Sequence, residues 1–264
     1  MSVVVVVQAR TRSSRLPGKV LLPLAGRPLL ERMLERIRAA RTPDDIIVAT
    51  TDEASDDVVY DLSMAAGVSC YRGDTNDLLD RHLQAARHAS ADVVVKIPSD
   101  CPLIDPSVID RVIGFYKADA SAFDYVSNLH PATFPDGNDV EVVPMPVLET
   151  AWREARAGYE REHTTPFIWE RPQQFRIANV EVGGGANYSN SHRWTIDYAE
   201  DYDLIAAIYD ALWTPKRIFS MDDVLELIQV HPELAQLNAK YLGRGWYTDR
   251  ARGPVITSHS GIPA

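Results

Sequence analysis

Residues 3–7 are five consecutive valines. Branching at Cβ favours extended backbone, and an apolar run without alternation fits a strand covered on both faces. Such a strand needs helices above and below it, which commits the chain to an α/β architecture. After Gln8 the character changes at once. Ala9-Arg10-Thr11-Arg12-Ser13-Ser14-Arg15-Leu16-Pro17-Gly18-Lys19 carries four cations, three hydroxyls and no acid. In open α/β sheets ligands bind beyond the carboxyl ends of the strands. Donors loaded there form a cradle for several negative charges, which in a small ligand means a polyphosphate. The other reading of such a loop is a solvated basic surface. No Gly-x-x-x-x-Gly-Lys-Ser/Thr occurs, so Walker-type chemistry is not implied.

Strand and helix patterns alternate through the first half. Pro28 opens a helix with Leu29, Leu30, Met33, Leu34 and Ile37 at helical spacing, and Pro43 closes it. Residues 46–49, 68–71 and 93–97 read as strands. Helices are expected from Asp56 or Asp57 to a stop at Gly67, from about 77 to 88, and over 106–117. This spacing specifies a parallel sheet whose carboxyl ends open on one edge. Residues 10–19, 50–52, 72–73 and 99–100 all fall on that edge. Beyond residue 120 the alternation loosens: 125–126, 140–143, 175–182 and 193–197 read as strands, followed by helices over 199–212 and 221–230. The fold class is therefore α/β, a single doubly wound and mostly parallel Rossmann-like sheet with a small β extension or lobe.

A chain of 264 residues can bury one such core. Its net charge of −10, from 37 acids against 27 bases, argues against a long nucleic acid as partner and makes the basic loop stand out. Cys70 and Cys101 lack metal-ligand spacing, which suggests a reducing compartment. The valine run is too short for a signal peptide or a membrane span. We expect a cytoplasmic protein with no membrane partner.

Asp105, before Pro106, reads as a helix N-cap. Asp100 has no such explanation. A carboxylate beside a polyphosphate cradle repels the ligand unless a cation intervenes, which implies Mg²⁺; the alternative is an ordinary turn aspartate. Asp197, taken alone, reads equally as a helix cap.

Ala9-Arg10-x-x-Ser13-x-Arg15-Leu16-Pro17-Gly18-Lys19 resembles the signature loop of the cytidylyltransferase family, which includes enzymes that make CMP-activated sugar acids. The SpsF-type spore coat polysaccharide proteins look most alike. Asp100-x-Pro102-Leu103-Ile104 resembles the family's metal segment, and Arg193-Trp194-Thr195-x-Asp197-x-x-Glu200-Asp201 its second one. The resemblance implies a sheet of the nucleotide-diphospho-sugar transferase type. It also implies Mg²⁺ held by Asp100 and Asp197, with Arg10, Arg15, Lys19 and Asp100 catalytic. Ala9, Arg10, Ser13, Arg15 and Lys19 would hold CTP together with Thr51 and Ser99, while Arg72 and Asp77 lie where relatives meet the base. Asp136, Asn138, Asp139, Glu141, Arg161, Glu162, His163 and Arg193 would line the acceptor pocket. His163 is either a general base or structural, and Arg161 or Arg193 would meet an acceptor carboxylate or phosphate.

The activity implied is CMP transfer from CTP to a sugar-like acceptor by a homodimer. The resemblance covers roughly residues 3–212; we expect residues 1–242 to form one nucleotidyltransferase domain, with 1–120 binding nucleotide and 121–242 serving acceptor and dimer, and 243–264 to be a C-terminal tail. Arg12, Pro98 and Tyr198-Ala199 depart from the family pattern. With Pro98 offering no side-chain donor, base discrimination would rest more on backbone groups. The competing readings are a glycosyltransferase of the same general fold and an idle nucleotide-binding protein.

Overall fold

The computed structural model describes residues 1–245. The valine run is the heart of β1 (Val3–Gln8), followed by a small hairpin, β2 (Pro23–Leu24) and β3 (Arg27–Pro28), and by α1 (Leu29–Arg38). Then come β4 (Asp45–Thr51), α2 (Asp57–Ala65), β5 (Ser69–Gly73), α3 (Leu78–His88), β6 (Val93–Pro98) and α4 (Pro106–Ala118). The second half contains β7 (Tyr125–Ser127), β8 (Glu141–Pro144), α5 (Met145–Glu154), α6 (Gly158–His163), α7 (Pro166–Trp169) and β9 (Ile177–Asn179). Three helices follow: α8 (Ala199–Leu212), α9 (Met221–Val230) and α10 (Pro232–Gln236).

Seven strands make one sheet in the order β5-β4-β1-β6-β8-β7-β9. β1 pairs in parallel with β4 on one side and β6 on the other, and β5 extends the parallel set. Only β8 runs against its neighbours, pairing antiparallel with β6 and β7, while β9 lies parallel to β7. The loosened second half thus continues the same sheet, which is mostly parallel as the alternation implied.

The valines explain the layering. Val3, Val5 and Val7 face a core shared with Leu30, Met33, Leu34 and Ile37 of α1 and with Ile109, Val112 and Ile113 of α4. Val4 and Val6 point the other way, against Leu79 and Leu83 of α3 and Leu148 of α5. None of the five has any exposed surface. At about 1.5–3 kcal/mol per buried side chain, the run contributes on the order of 10 kcal/mol before chain entropy is set against it. A third apolar cluster, with Trp194, Leu204, Ile205 and Val224, seats α8 and α9 against Leu24 and Leu29.

Caps set the helix starts. The Asp77 carboxylate accepts from the Asp80 amide at 2.9 Å, and that of Asp105 from the Ser107 amide at 2.7 Å. Gly67, at φ +69°, ends α2 in the left-handed conformation expected of it.

Three local expectations need correction. Residues 175–182 do not form one strand; β9 is three residues long, because its partner β7 offers only three. Residues 193–197 are not a strand either. They make one bridge, Asp136 to Arg193, and are otherwise held by the backbone of Asp136 and Asp100. The helices α5, α6 and α7 occupy ground where no helix was expected. Of the tail proposed at 243–264, residues 246–264 lie outside the described ones. Among the described residues no helix is long and apolar enough to cross a membrane.

Candidate active site

Since β5, β4, β1 and β6 are parallel, their carboxyl ends share an edge, and a cleft of about 1200 Å³ opens there. The basic loop forms one wall. Its start is fixed by Asp56, whose carboxylate accepts from the Thr11 amide and hydroxyl, both at 2.7 Å. Its end is closed by the Gly18 amide donating to the Thr11 carbonyl at 2.7 Å. Gly18 sits at φ +71°, the left-handed region where a glycine costs least, and starts a short 3-10 turn. That turn sends Lys19 back across the strand ends.

There the Lys19 ammonium meets three oxygens: the Ile196 carbonyl at 2.6 Å, Asp100 Oδ2 at 3.2 Å and Asp197 Oδ1 at 3.2 Å. Two backbone links bring the carboxylates together, since the Ile196 amide and the Thr195 hydroxyl both donate to the Asp100 carbonyl, at 2.9 and 3.2 Å. Arg15 adds a contact of 2.7 Å to the same Asp197 oxygen. Burial opposes charge on Lys19, but Asp100 and Asp197 outweigh it and hold the ammonium above its ordinary pKa. Burial likewise opposes charge on Asp197, and Lys19 and Arg15 more than offset it, so that carboxyl lies below the usual range.

Asp197 does not cap α8. Asp201 does so, accepting from the Asp197 and Tyr198 amides at 3.0 Å each. Asp201 also grips Arg193, at 2.9 and 3.1 Å, and accepts from Asn238 at 2.9 Å. Arg193 in turn reaches Asp136 at 3.2 Å, Asp197 at 3.4 Å and the Arg244 carbonyl at 2.7 Å. Its side chain is 1% exposed. Gly137, at φ +107°, lets the segments touch: a Cβ there would lie 2.7 Å from the Trp194 carbonyl carbon.

The cleft collects most of the residues singled out in the sequence: Ala9, Arg10, Ser13, Arg15, Lys19, Ser99, Asp100, Asp136, Glu141, His163, Arg193 and Asp197. Five others are placed elsewhere. Thr51 is buried and holds Asp56, hence the base of the loop. Arg72 donates to the Thr51 and Glu53 carbonyls at 3.2 and 2.9 Å and pairs with Asp57. Asp77 caps α3 and pairs with Arg161, whose other contact is the Trp152 carbonyl at 2.6 Å. Asn138 is buried behind the cleft, accepting from the Asp105 amide at 3.0 Å. Glu141 lies in the cleft floor as the centre of a buried network, with Lys96, the Tyr125 hydroxyl at 2.6 Å and the Thr165 hydroxyl.

Several lining residues were not anticipated. Thr75, Asn76 and Arg81 follow β5 and enter α3, so that strand end contributes them rather than Arg72. Burial and the nearby Arg10 lower the Arg81 pKa to about 10. Lys96 is a cation inside an otherwise apolar strand, a signal that could have marked it. Asp139, by contrast, was among the acceptor candidates; it joins Asp136 on the far side of the cleft, and burial followed by Asp100 pushes its carboxyl up to about 7.

The cytidylyltransferase family model matches residues 4–241. The chain belongs to the cytidylyltransferase family. This nucleotidyltransferase assignment agrees with its relatives. The chain is 29% identical to the spore coat polysaccharide biosynthesis protein SpsF of Bacillus subtilis, over 87% of its own length and 95% of that protein's. A cytidylyltransferase structure from Leptospira borgpetersenii superposes with a TM-score of 0.83 at 32% identity, covering 89% of this chain and 97% of that one. CMP:2-keto-3-deoxy-manno-octonic acid synthetase complexed with CTP shares the fold, with a TM-score of 0.61 at 18% identity, over 80% of this chain and 99% of that one.

Proposed function

We propose that this cytidylyltransferase transfers CMP from CTP to a hydroxyl of a sugar acid or related sugar-like acceptor, releasing pyrophosphate, with Mg²⁺ as its cofactor. The observation that carries the reading is the meeting of Arg15, Lys19, Asp100 and Asp197 at the mouth of the parallel sheet. A basic loop of this size suits a triphosphate, and the CTP complex of the octonic acid synthetase supports a cytidine nucleotide for this fold.

The donor set fits a divalent cation. Two carboxylates and one carbonyl converge on a single point, where the Lys19 ammonium stands in for a cation. These are the hard oxygen ligands that Mg²⁺ takes. When bound, the cation would neutralise phosphate oxygens and polarise the α-phosphorus. The chain's own part is placement and charge. Arg10, Ser13, Arg15 and Lys19 hold the β- and γ-phosphates and offset charge on the departing pyrophosphate. The acceptor oxygen bonds to the α-phosphorus as the bond from that phosphorus to the bridging oxygen breaks. The hydroxyl proton leaves to a base, for which the cleft offers His163 and Asp139.

Asp136, Asp139 and Glu162 line the acceptor side and suit hydroxyl recognition. Neither Arg161 nor Arg193 is assigned to an acceptor anion, because both are engaged within the chain. The likeness to SpsF supports a place in cell-surface polysaccharide assembly, and the two unpaired cysteines support a cytoplasmic setting. We read the active species as a homodimer, on the family resemblance; sedimentation as a monomer at micromolar concentration contradicts that part.

The test is pyrophosphate release with CTP, UTP, ATP and GTP against a panel of sugar acids, phosphosugars and phosphonates. Release with CTP and one acceptor class, with a CMP-linked product, is expected. Release with no nucleotide from the folded protein contradicts the reading.

A further inference from the structure

The Lys19 ammonium occupies the point between Asp100 and Asp197 that the divalent cation would need. The ammonium has three donors, and the Ile196 carbonyl, Asp100 and Asp197 take all three. A divalent cation bound by the same two carboxylates would need oxygens at about 2.0–2.1 Å. It would then lie against the ammonium and repel it. The two cations cannot share the position.

Charge counts the same way. Asp100 and Asp197 are matched in the bare site by Lys19 and Arg15, while Arg193 is matched by Asp201. A dication added alone would face Lys19 and Arg15 at these same two carboxylates. A triphosphate brings enough negative charge to receive both the dication and the displaced ammonium. The lysine has a flexible four-carbon stem, starts from a turn that opens at Gly18, and lines the same cleft as the loop that would hold the phosphates.

We propose that Lys19 is an exchangeable counterion: in the nucleotide-free protein its ammonium fills the cation position between Asp100 and Asp197, and nucleotide phosphate draws it out so that the divalent cation can enter. The inference rests on the nucleotidyl-transfer reading above. It makes cation and nucleotide binding mutually dependent, and by linkage each raises the affinity of the other by the same factor. The bare enzyme is thereby kept from capturing metal with no substrate present.

The probe is Mn²⁺, with free ion measured by electron paramagnetic resonance in titrations without nucleotide. Lys19→Met keeps the stem and removes the charge. It should bind Mn²⁺ at least about tenfold tighter than wild type, within the range of ordinary site-to-site coupling. Adding Asp100→Asn to that variant should abolish the gain, which locates it at this pair. In parallel, equilibrium dialysis of labelled CTP with Mn²⁺ should show binding to wild type and weaker binding to Lys19→Met. Wild type that binds CTP, together with a Lys19→Met variant that gains no affinity for Mn²⁺, overturns the exchange and leaves the nucleotide reading standing. Folded wild type that fails to bind CTP overturns both. Should Lys19→Met not fold, wild type decides alone: micromolar Mn²⁺ binding without nucleotide, lost in Asp100→Asn, refutes the proposal.

Discussion

Replacing Arg193 by Met separates two roles that an arginine beside a substrate cleft can play. The guanidinium is held by Asp201, Asp136, Asp197 and the Arg244 carbonyl, and Asp201 has no exposed surface. Removing one partner of a buried ion pair strands the other charge, at about 3–5 kcal/mol. Asp201 keeps the Asp197 and Tyr198 amides and the Asn238 amide, which favours the lower end of that range. For a domain of this size each kcal/mol moves Tm by about 2–4 °C, so a loss of roughly 6–12 °C is expected. Because the same guanidinium steadies Asp197, turnover should fall as well. Thermal unfolding followed by circular dichroism, without ligands and at neutral pH, is the assay. A Tm within about 2 °C of wild type, with only the acceptor KM raised, is the signature of an arginine that binds acceptor, and it would refute the structural role.

Three further outcomes follow from particular contacts. Gly137→Ala forces a Cβ against the backbone of Trp194 and Thr195 at φ +107°, so it should cost about 1–3 kcal/mol and reduce turnover by displacing Asp197; unchanged stability in urea denaturation contradicts this. Arg15→Ala should weaken CTP binding roughly ten- to a hundredfold by calorimetry, the loss expected of one charge-assisted contact, and wild-type affinity would remove Arg15 from the triphosphate site. His82 is fully buried with its pKa lowered to about 3 by burial, from an ordinary value near 6.5, and Nδ1 donates to the Leu78 carbonyl at 2.9 Å. Its folded pKa is the depressed one, so between these values the unfolded chain takes up the extra proton. Stability should therefore fall as pH drops below about 6.5, with a slope of up to about 1.4 kcal/mol per unit that His82→Gln flattens; equal slopes in both proteins contradict it.

The parts of this molecule that are local in sequence were legible there. The valine run, the unopposed cations after it and the cap Asp105 each announce themselves within a few residues, whereas Asp77, expected near the base, proved to be the cap of α3. Asp100 was marked by its charge beside the basic loop, but Asp197 was joined to it only through the family pattern, since their meeting depends on the Ile196 amide finding the Asp100 carbonyl across the fold. Arg72, Arg161 and Arg193 look alike in sequence to an arginine awaiting a ligand. Their partners Asp57, Asp77 and Asp201 are ordinary surface acids until the chain folds. The Lys96–Glu141 pair is set by antiparallel register between β6 and β8, which no local pattern encodes. The helices α5 and α6 begin beside Pro144 and at Gly158, residues more often read as breakers than as starts, and α7 is only four residues long, too short to show a helical period.

The central claim is that Asp100 and Asp197 act as one unit recruiting a divalent cation to a triphosphate held by the basic loop. A magnesium titration of pyrophosphate release from CTP, on Asp100→Asn, Asp197→Asn and the double variant, tests it most directly. Asparagine keeps shape and removes charge. Each single variant should stay folded, require at least about tenfold more Mg²⁺ and lose most of its turnover, and the double variant should be little worse than either, as expected of residues that function together. Wild-type magnesium dependence in both single variants would contradict the account.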